Sequence, residues 1–234
     1  MRKSRTEQAY RSLYELITSG RITPGSGLSE VELSESLSMS RTPVREALHQ
    51  LERDGLLERK NGRLAVVEIT YSRVAHLFVL RAAVDGMAAR LATLAATPKD
   101  VAKLEALLAD AEAATKRGEL TNATELSVQF HNAIVAMSRN KDLEATSRQA
   151  NALIRRFEHV TAPGLAGRSL AWHRAIFEAL KRGDPDGCEL LMRRDILGAG
   201  AEILPILQSV IGIDEITPSV ELIIKHCGTY GHPG

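Results

Sequence analysis

Residues 29–69 hold a dense run of helix starts, helix stops and one hairpin turn, and few layouts satisfy all of them together. Ser29, with Glu32 three residues on, is a capping-box pair followed by the apolar Leu33 and Leu37. A break at Ser38-Met39 leads into a further helix, started by Ser40 or Thr42. Pro43 suits its first turn, where a backbone N–H has no intrahelical partner to lose. Val44, Leu48 and Leu51 form the buried stripe of that helix, and Gly55 ends it. Residues 56–59 and 64–69 then read as two short strands around Asn61-Gly62, a pair suited to the positive φ angles of a tight hairpin. Upstream, 6–19 places Ala9, Leu13, Leu16 and Ile17 on one helical stripe before Gly20, and Pro24-Gly25 and Gly27 mark a turn. Three short helices closed by a hairpin is the layout of a winged helix-turn-helix.

From Thr70 onward the pattern is helical throughout, with helices expected near 72–96, 98–117, 119–138, 140–160, 166–182 and 185–204. Alanine is dense there, 14 of the 40 residues from 75 to 114, and the whole chain has only four Phe, four Tyr and one Trp. That balance favours packed helices over a β-sandwich. The expected chain is therefore mainly α. A winged helix-turn-helix with a small β-hairpin wing occupies 1–69, an all-α helical bundle 70–210, and a tail 211–234, where Thr217-Pro218 to Lys225 can form a short helix. No apolar run reaches the roughly 18 residues that a membrane helix needs. Met1-Arg2-Lys3-Ser4-Arg5 leads into a polar helix without an apolar signal core. Two cysteines, Cys188 and Cys227, build no disulfide framework, so a reducing cytoplasm is the expected location.

Thirty Lys and Arg against 29 Asp and Glu exclude a uniformly basic, histone-like protein. They leave open a DNA partner met by locally placed charge. Arg41, Thr42 and Arg45 lie near the start of the third helix, opposite Val44, Leu48 and Leu51. In a major groove an arginine fork matches the O6 and N7 acceptors of guanine, while Ser40, Thr42 and the helix N-terminus suit phosphate oxygens. The hairpin tip Lys60-Asn61-Gly62-Arg63 is basic and slim enough for an adjacent groove. The plainer alternative is that these arginines only solvate an exposed face.

The stretch Ser40-Arg41-Thr42-Pro43-Val44-Arg45-Glu46-Ala47-Leu48, with Leu51 and Gly55-Leu56, closely resembles the signature of the GntR family of bacterial transcription regulators. Pro24-Gly25 and 28–34 fit its upstream half. The resemblance covers 6–69 and implies that Arg41 and Arg45 read DNA, assisted by Thr42 and the wing around Gly62. Such wings often have a glycine-rich tip, whereas here Gly62 is followed by Arg63 and Leu64.

Residues 70–204 resemble the FadR-like subgroup with its all-helical FCD domain, through Arg81-Ala82-Ala83-Val84-Asp85-Gly86, Phe130-His131 with Asn140, Trp172-His173-Arg174-Ala175-Ile176 and Arg182-Gly183-Asp184. Many of that subgroup hold a divalent metal through one Asp and three His. The matching positions here are Ser127, His131, His173 and Asp195, so the aspartate has become serine and the last histidine aspartate. The resemblance thus implies a zinc-like ion on His131, His173 and Asp195, a 2-His-1-carboxylate set with open positions for a carboxylate effector. By periodicity His131 and His173 sit on inward stripes, which equally suits two buried histidines satisfied by neighbours. Asp195 has an alternative in a surface ion pair with Arg193 or Arg194. Arg81 is the candidate effector anchor, since a buried guanidinium needs an anion; a bridge to a carboxylate on its own helix is the alternative.

The expected function is a homodimeric, ligand-responsive regulator, with repression the expected sign, reading a pseudo-palindromic operator in double-stranded DNA and sensing a small carboxylate. A metal-dependent hydrolase built on His131, His173 and Asp195, and an effector-independent DNA-binding protein, are the alternatives.

Overall fold

The computed structural model describes residues 4–68, 70–155, 158–211 and 218–228. The chain forms two compact units, 1–69 with 151–159, and 70–150 with 160–234. Ile69, 156–157, 212–217 and 229–234 lie outside the described residues, as does the side chain of Cys227, so the expectations that touch them stay open.

The first unit contains α1 (Arg5–Thr18), α2 (Glu30–Ser36), α3 (Arg41–Arg53), β1 (Leu57–Lys60) and β2 (Arg63–Val66). Ala9, Leu13 and Ile17 of α1 are buried together with Val44, Ala47, Leu48 and Leu51 of α3, and the two helices pack on each other. At Gly55, with φ +75°, α3 ends in a Schellman turn: Leu56 N–H donates to Leu51 and Gly55 N–H to Glu52.

Helix α2 differs from its expected pattern. Ser29 accepts the Glu32 N–H as expected, but the reciprocal capping box forms elsewhere, between Thr97 and Asp100. Leu33 and Leu37 are only half-buried, and Ser34 is the buried residue of this helix, its hydroxyl donating to the Glu30 carbonyl at 2.5 Å. A seven-residue helix offers one short inner face, and a serine satisfied by its own backbone fits there without an orphaned hydroxyl.

The strands pair antiparallel from Leu57↔Val66 to Lys60↔Arg63; the first is shifted by one residue from its expected limits, and the second starts one residue earlier than expected and ends at Val66 rather than 69. Asn61 and Gly62, at φ 53° and 77°, form a two-residue turn whose twist matches the strands, so Lys60 and Arg63 become a cross-strand pair. The 24–28 turn also does more than its Pro-Gly pattern suggests. Gly25 N–H donates to Val66 and Leu28 N–H to Leu64, which lays this segment along the free edge of β2.

The second unit is built of α4 (Tyr71–Ala95), α5 (Pro98–Lys116), α6 (Leu120–Met137), α7 (Lys141–Arg155) up to residue 150, α8 (Glu158–Lys181) from residue 160, α9 (Pro185–Ile211) and α10 (Pro218–Gly228). Helix α9 runs past its expected end at 204. Pro205 removes one hydrogen bond from the exposed face, but Ile203, Leu204 and Leu207 are buried on either side of it and hold the helix in register. Helix α8 starts well before its expected 166. Helices α4 and α9 run antiparallel in close contact: a Cβ on Gly200 would meet the Phe78 ring at 2.9 Å, and one on Gly86 would meet Arg193 at 2.5 Å. Helix α4 also packs on α6. Among the described residues no helix is long and apolar enough to cross a membrane.

Candidate DNA interface and buried histidine–carboxylate cluster

Ser40 is the N-cap of α3, in extended conformation with no side-chain capping bond, so its hydroxyl is not used by its own helix. Arg41 and Thr42 open the helix beside it, and Ser40, Arg41, Thr42 and Arg45 are all exposed. Val44, Ala47, Leu48 and Leu51 anchor the opposite face, which forces these polar side chains outward. Two carboxylates that would oppose a phosphate backbone are held instead against α1: Thr6 Oγ1 donates to Glu46 Oε2 at 2.6 Å, and Tyr10 Oη to Asp54 Oδ2 at 2.7 Å. Arg11, Arg59 and Lys60 are engaged in ion pairs with Glu7, Glu52 and Glu68. Among the described residues Arg41, Arg45 and Arg63 have none. Gly62 and Arg63 are exposed at the hairpin.

In the second unit His131 of α6, His173 of α8 and Asp195 of α9 converge. His131 Nε2 lies 3.2 Å and His173 Nε2 3.5 Å from Asp195 Oδ2, and the two Nε2 atoms are 3.0 Å apart. Asp195 and His173 are buried, with 6% and 1% exposure, so the expected alternative of a surface ion pair for Asp195 fails; Arg193 pairs with Glu189 instead. Phe130 stacks on His173 at 4.7 Å between centroids, and Met192 Sδ is 3.2 Å from His131 Nδ1. These two apolar walls were missed in the sequence, although the Met192–Asp195 spacing of three places them on one helix face. Ser127, one turn before His131, is half-buried.

Burial pushes the His173 imidazole below its ordinary pKa of 6.5, and the hydrogen bond to Asp195 only partly offsets this. For Asp195 burial acts upward, but the hydrogen bonds from His131 and His173 outweigh it and hold the carboxyl below its usual range. A neutral His173 beside an ionised Asp195 is the protonation state that metal ligation requires. The spacing also fits: donors at about 2.0–2.2 Å from one ion, at angles between octahedral and tetrahedral, stand about 2.8–3.6 Å apart. The cluster therefore has the chemistry and size to hold a divalent ion.

Arg81 does not stand as a free anchor. Its Nε and Nη2 donate to Asp85 Oδ2 at 3.3 and 3.1 Å, the bridge within its own helix that the sequence also allowed. Asp85 is fully buried, and among the described residues its Oδ1 has no hydrogen-bond partner, as is also true of Trp172 Nε1.

Residues 5–67 match the family described as "Bacterial regulatory proteins, gntR family", and 76–197 match the FCD domain. The HTH-type transcriptional regulator YdhC of Bacillus subtilis (strain 168) is 31% identical over 187 residues, covering 78% of this chain and 83% of that protein. This chain belongs to the GntR family. The HTH-type transcriptional repressor RspR of Escherichia coli K12 is likewise 31% identical to this GntR-family chain, over 81% of it and 85% of RspR. The fold is that of E. coli McbR/YncC, at TM-score 0.70 and 24% identity over 89% of this chain and 100% of that one. A GntR regulator from Rhodococcus sp. RHA1 aligns at TM-score 0.66 and 25% identity over 87% of this chain and 99% of the other. The protein is thus a GntR-type, DNA-binding transcriptional regulator with an FCD domain. Its family and relatives are regulators, which removes the hydrolase alternative.

Proposed function

We propose that this regulator is a homodimeric repressor that reads a pseudo-palindromic operator through α3 and the wing, and is released by a small organic acid bound in the helical unit. Support for the DNA reading comes first from the exposed Arg41 and Arg45 at the start of α3, which have no anionic partner among the described residues. Arg41 and Arg45 contact base edges, Ser40 and Thr42 phosphates, and Gly62 with Arg63 the neighbouring groove or backbone. The repressor sign follows the similar RspR. Dimerisation is supported by an apolar strip on the exposed side of α4. Leu80, Met87 and Leu94, seven residues apart, remain 42%, 41% and 68% exposed, a seam suited to the same face of a second copy.

In the helical unit, His131, His173 and Asp195 would hold the divalent ion, which supplies a Lewis-acidic anchor for a carboxylate. The chain's own contribution is to bring two imidazoles and one carboxylate together, with His173 held neutral and Asp195 ionised, and to exclude water with Phe130 and Met192. Arg81, its charge shared with Asp85, stabilises the acid from α4. Effector binding then biases the two DNA readers by a coupling of about 1–3 kcal/mol, typical of such switches.

The deciding experiment is a fluorescence-anisotropy titration on an operator selected from random duplexes. R45A is expected to weaken binding by about 10- to 100-fold, the worth of one bidentate arginine–guanine contact, with unchanged circular dichroism. Wild-type affinity in R45A would remove the DNA reading. The effector-independent alternative rests on the pairing of Arg81 by Asp85, and release of the operator by any organic acid would sink it.

A further inference from the structure

The outward face of α3 continues beyond its two arginines. At about 100° per residue, Thr42, Arg45 and His49 fall within a sector of about 60°, on the side away from the buried Val44, Leu48 and Leu51. His49 stands one turn past Arg45, about 6 Å further along the helix axis, which is close to two base-pair steps. Its side chain is 46% exposed. Glu46, the carboxylate next to Arg45, is drawn off to Thr6 of α1.

One nitrogen of the ring is already committed. His49 Nδ1 lies 3.4 Å from Glu52 Oε2, one turn later in the same helix. Glu52 is itself pinned, because Arg59 Nε of β1 donates to its other oxygen at 3.0 Å. A carboxylate only accepts, so the Nδ1 that faces it carries the hydrogen. In the neutral ring Nε2 then has a lone pair and no hydrogen. Among the described residues Nε2 has no partner. Where Arg41 and Arg45 present only donors, His49 presents an acceptor, in a tautomer held by a network that joins α3 to the wing.

We propose that His49 is a third base-reading residue, that it takes the exocyclic amino group of adenine or cytosine, and that Glu52 is its positioning residue. The proposal rests on α3 as the DNA-reading helix and extends its reach by one turn. In the major groove the hydrogen-bond donors are adenine N6 and cytosine N4, whereas guanine and thymine offer acceptors. Phosphate oxygens also only accept, so they give a neutral Nε2 nothing to bind. An arginine fork selects guanine and an imidazole acceptor rejects it, so neighbouring operator positions are specified by opposite chemistry.

The test is a selection of operators from random duplexes at pH 8, where an imidazole is neutral. Anisotropy titrations of wild type, R45A, H49A and E52Q then follow, against every base at each operator position. Wild type is expected to prefer adenine or cytosine over guanine or thymine by about three- to tenfold, the worth of one hydrogen bond, at a position one or two base pairs from the one that R45A relaxes. The base preferred there tells which amino group is read. H49A should lose that preference and keep the one set by Arg45. E52Q has an amide that can donate to Nδ1 and so reverse the tautomer, and it should lose or invert the same preference. A uniform loss across sequences in H49A, with a shallower salt dependence, would mark a phosphate contact and overturn the proposal. H49A identical to wild type beside a weakened R45A overturns it too, and leaves DNA reading by α3 standing. Full preference in E52Q removes Glu52 from it. R45A at wild-type affinity overturns the reading by α3 on which the proposal rests.

Discussion

Replacing Arg81 by methionine tests the most heavily buried ion pair described in the helical unit. The pair is 11% exposed at Arg81 and fully buried at Asp85, and both guanidinium bonds go to one carboxylate oxygen. Methionine keeps the unbranched apolar stem, so packing changes little while the charge is lost. Asp85 is then stranded, with no cation and with Oδ1 already open. Removing one partner of a buried pair typically costs about 3–5 kcal/mol, because the other charge stays desolvated. For a domain of this size each kcal/mol moves the midpoint by about 2–4 °C, so R81M should melt about 6–20 °C lower. The double variant R81M/D85L removes both charges and should return to within about 1 kcal/mol of wild type. Urea denaturation of wild type, R81M, D85L and the double variant, followed by circular dichroism, measures the cycle. A loss below about 1 kcal/mol in R81M, or a double variant that loses as much as the two singles combined, would refute the assignment of a desolvated pair.

Three further outcomes follow from the buried groups. Stability of the metal-free protein should decline as pH drops below the ordinary histidine value of 6.5, since His173 has its pKa lowered on folding and the unfolded chain takes up the proton first. Asp195, lowered as well, adds a second loss as pH falls through its ordinary 3.8; a flat melting temperature between pH 7 and 5 would contradict the His173 part. Zinc at about a hundred times its dissociation constant should stabilise the protein by about 2.7 kcal/mol, chelation should reverse this, and H173A should abolish it; an unchanged zinc shift in H173A would place the metal elsewhere. Burial pushes the Cys188 thiol up to about 11, so in a C227S background it should resist a thiol reagent at pH 8 until the protein unfolds, and prompt labelling of the native form would contradict its burial.

The local chemistry of the DNA-reading unit was legible because each decision there is made over a few residues. Gly55 stops α3, Asn61-Gly62 turns the hairpin, and Pro43 sits in a first turn whichever partner the helix meets. Arg41 and Arg45 followed from the helix once Val44, Leu48 and Leu51 had chosen its inner face. Where the local rules were followed too far, packing overruled them. Helix α9 passes Pro205 because buried leucine and isoleucine neighbours outweigh one absent hydrogen bond, and Ser34 rather than Leu33 fills the inner face of α2.

The histidine cluster divides along the same line. Periodicity turns His131 and His173 inward, but no spacing within one helix brings atoms from α6, α8 and α9 to 3.0–3.5 Å of one another. Asp195 follows two arginines in the chain and by local chemistry belongs with them; in the folded protein it is buried against imidazoles from two other helices. Arg81 was open between an effector and its own helix, and the packing of α4 chose Asp85. By itself the amino-acid sequence determined the helices, the wing and the polar face of α3, because backbone propensity and amphipathic period act over one turn or one strand. Tertiary structure alone decided which charges are desolvated and which ligand atoms meet, because both depend on how separate helices pack.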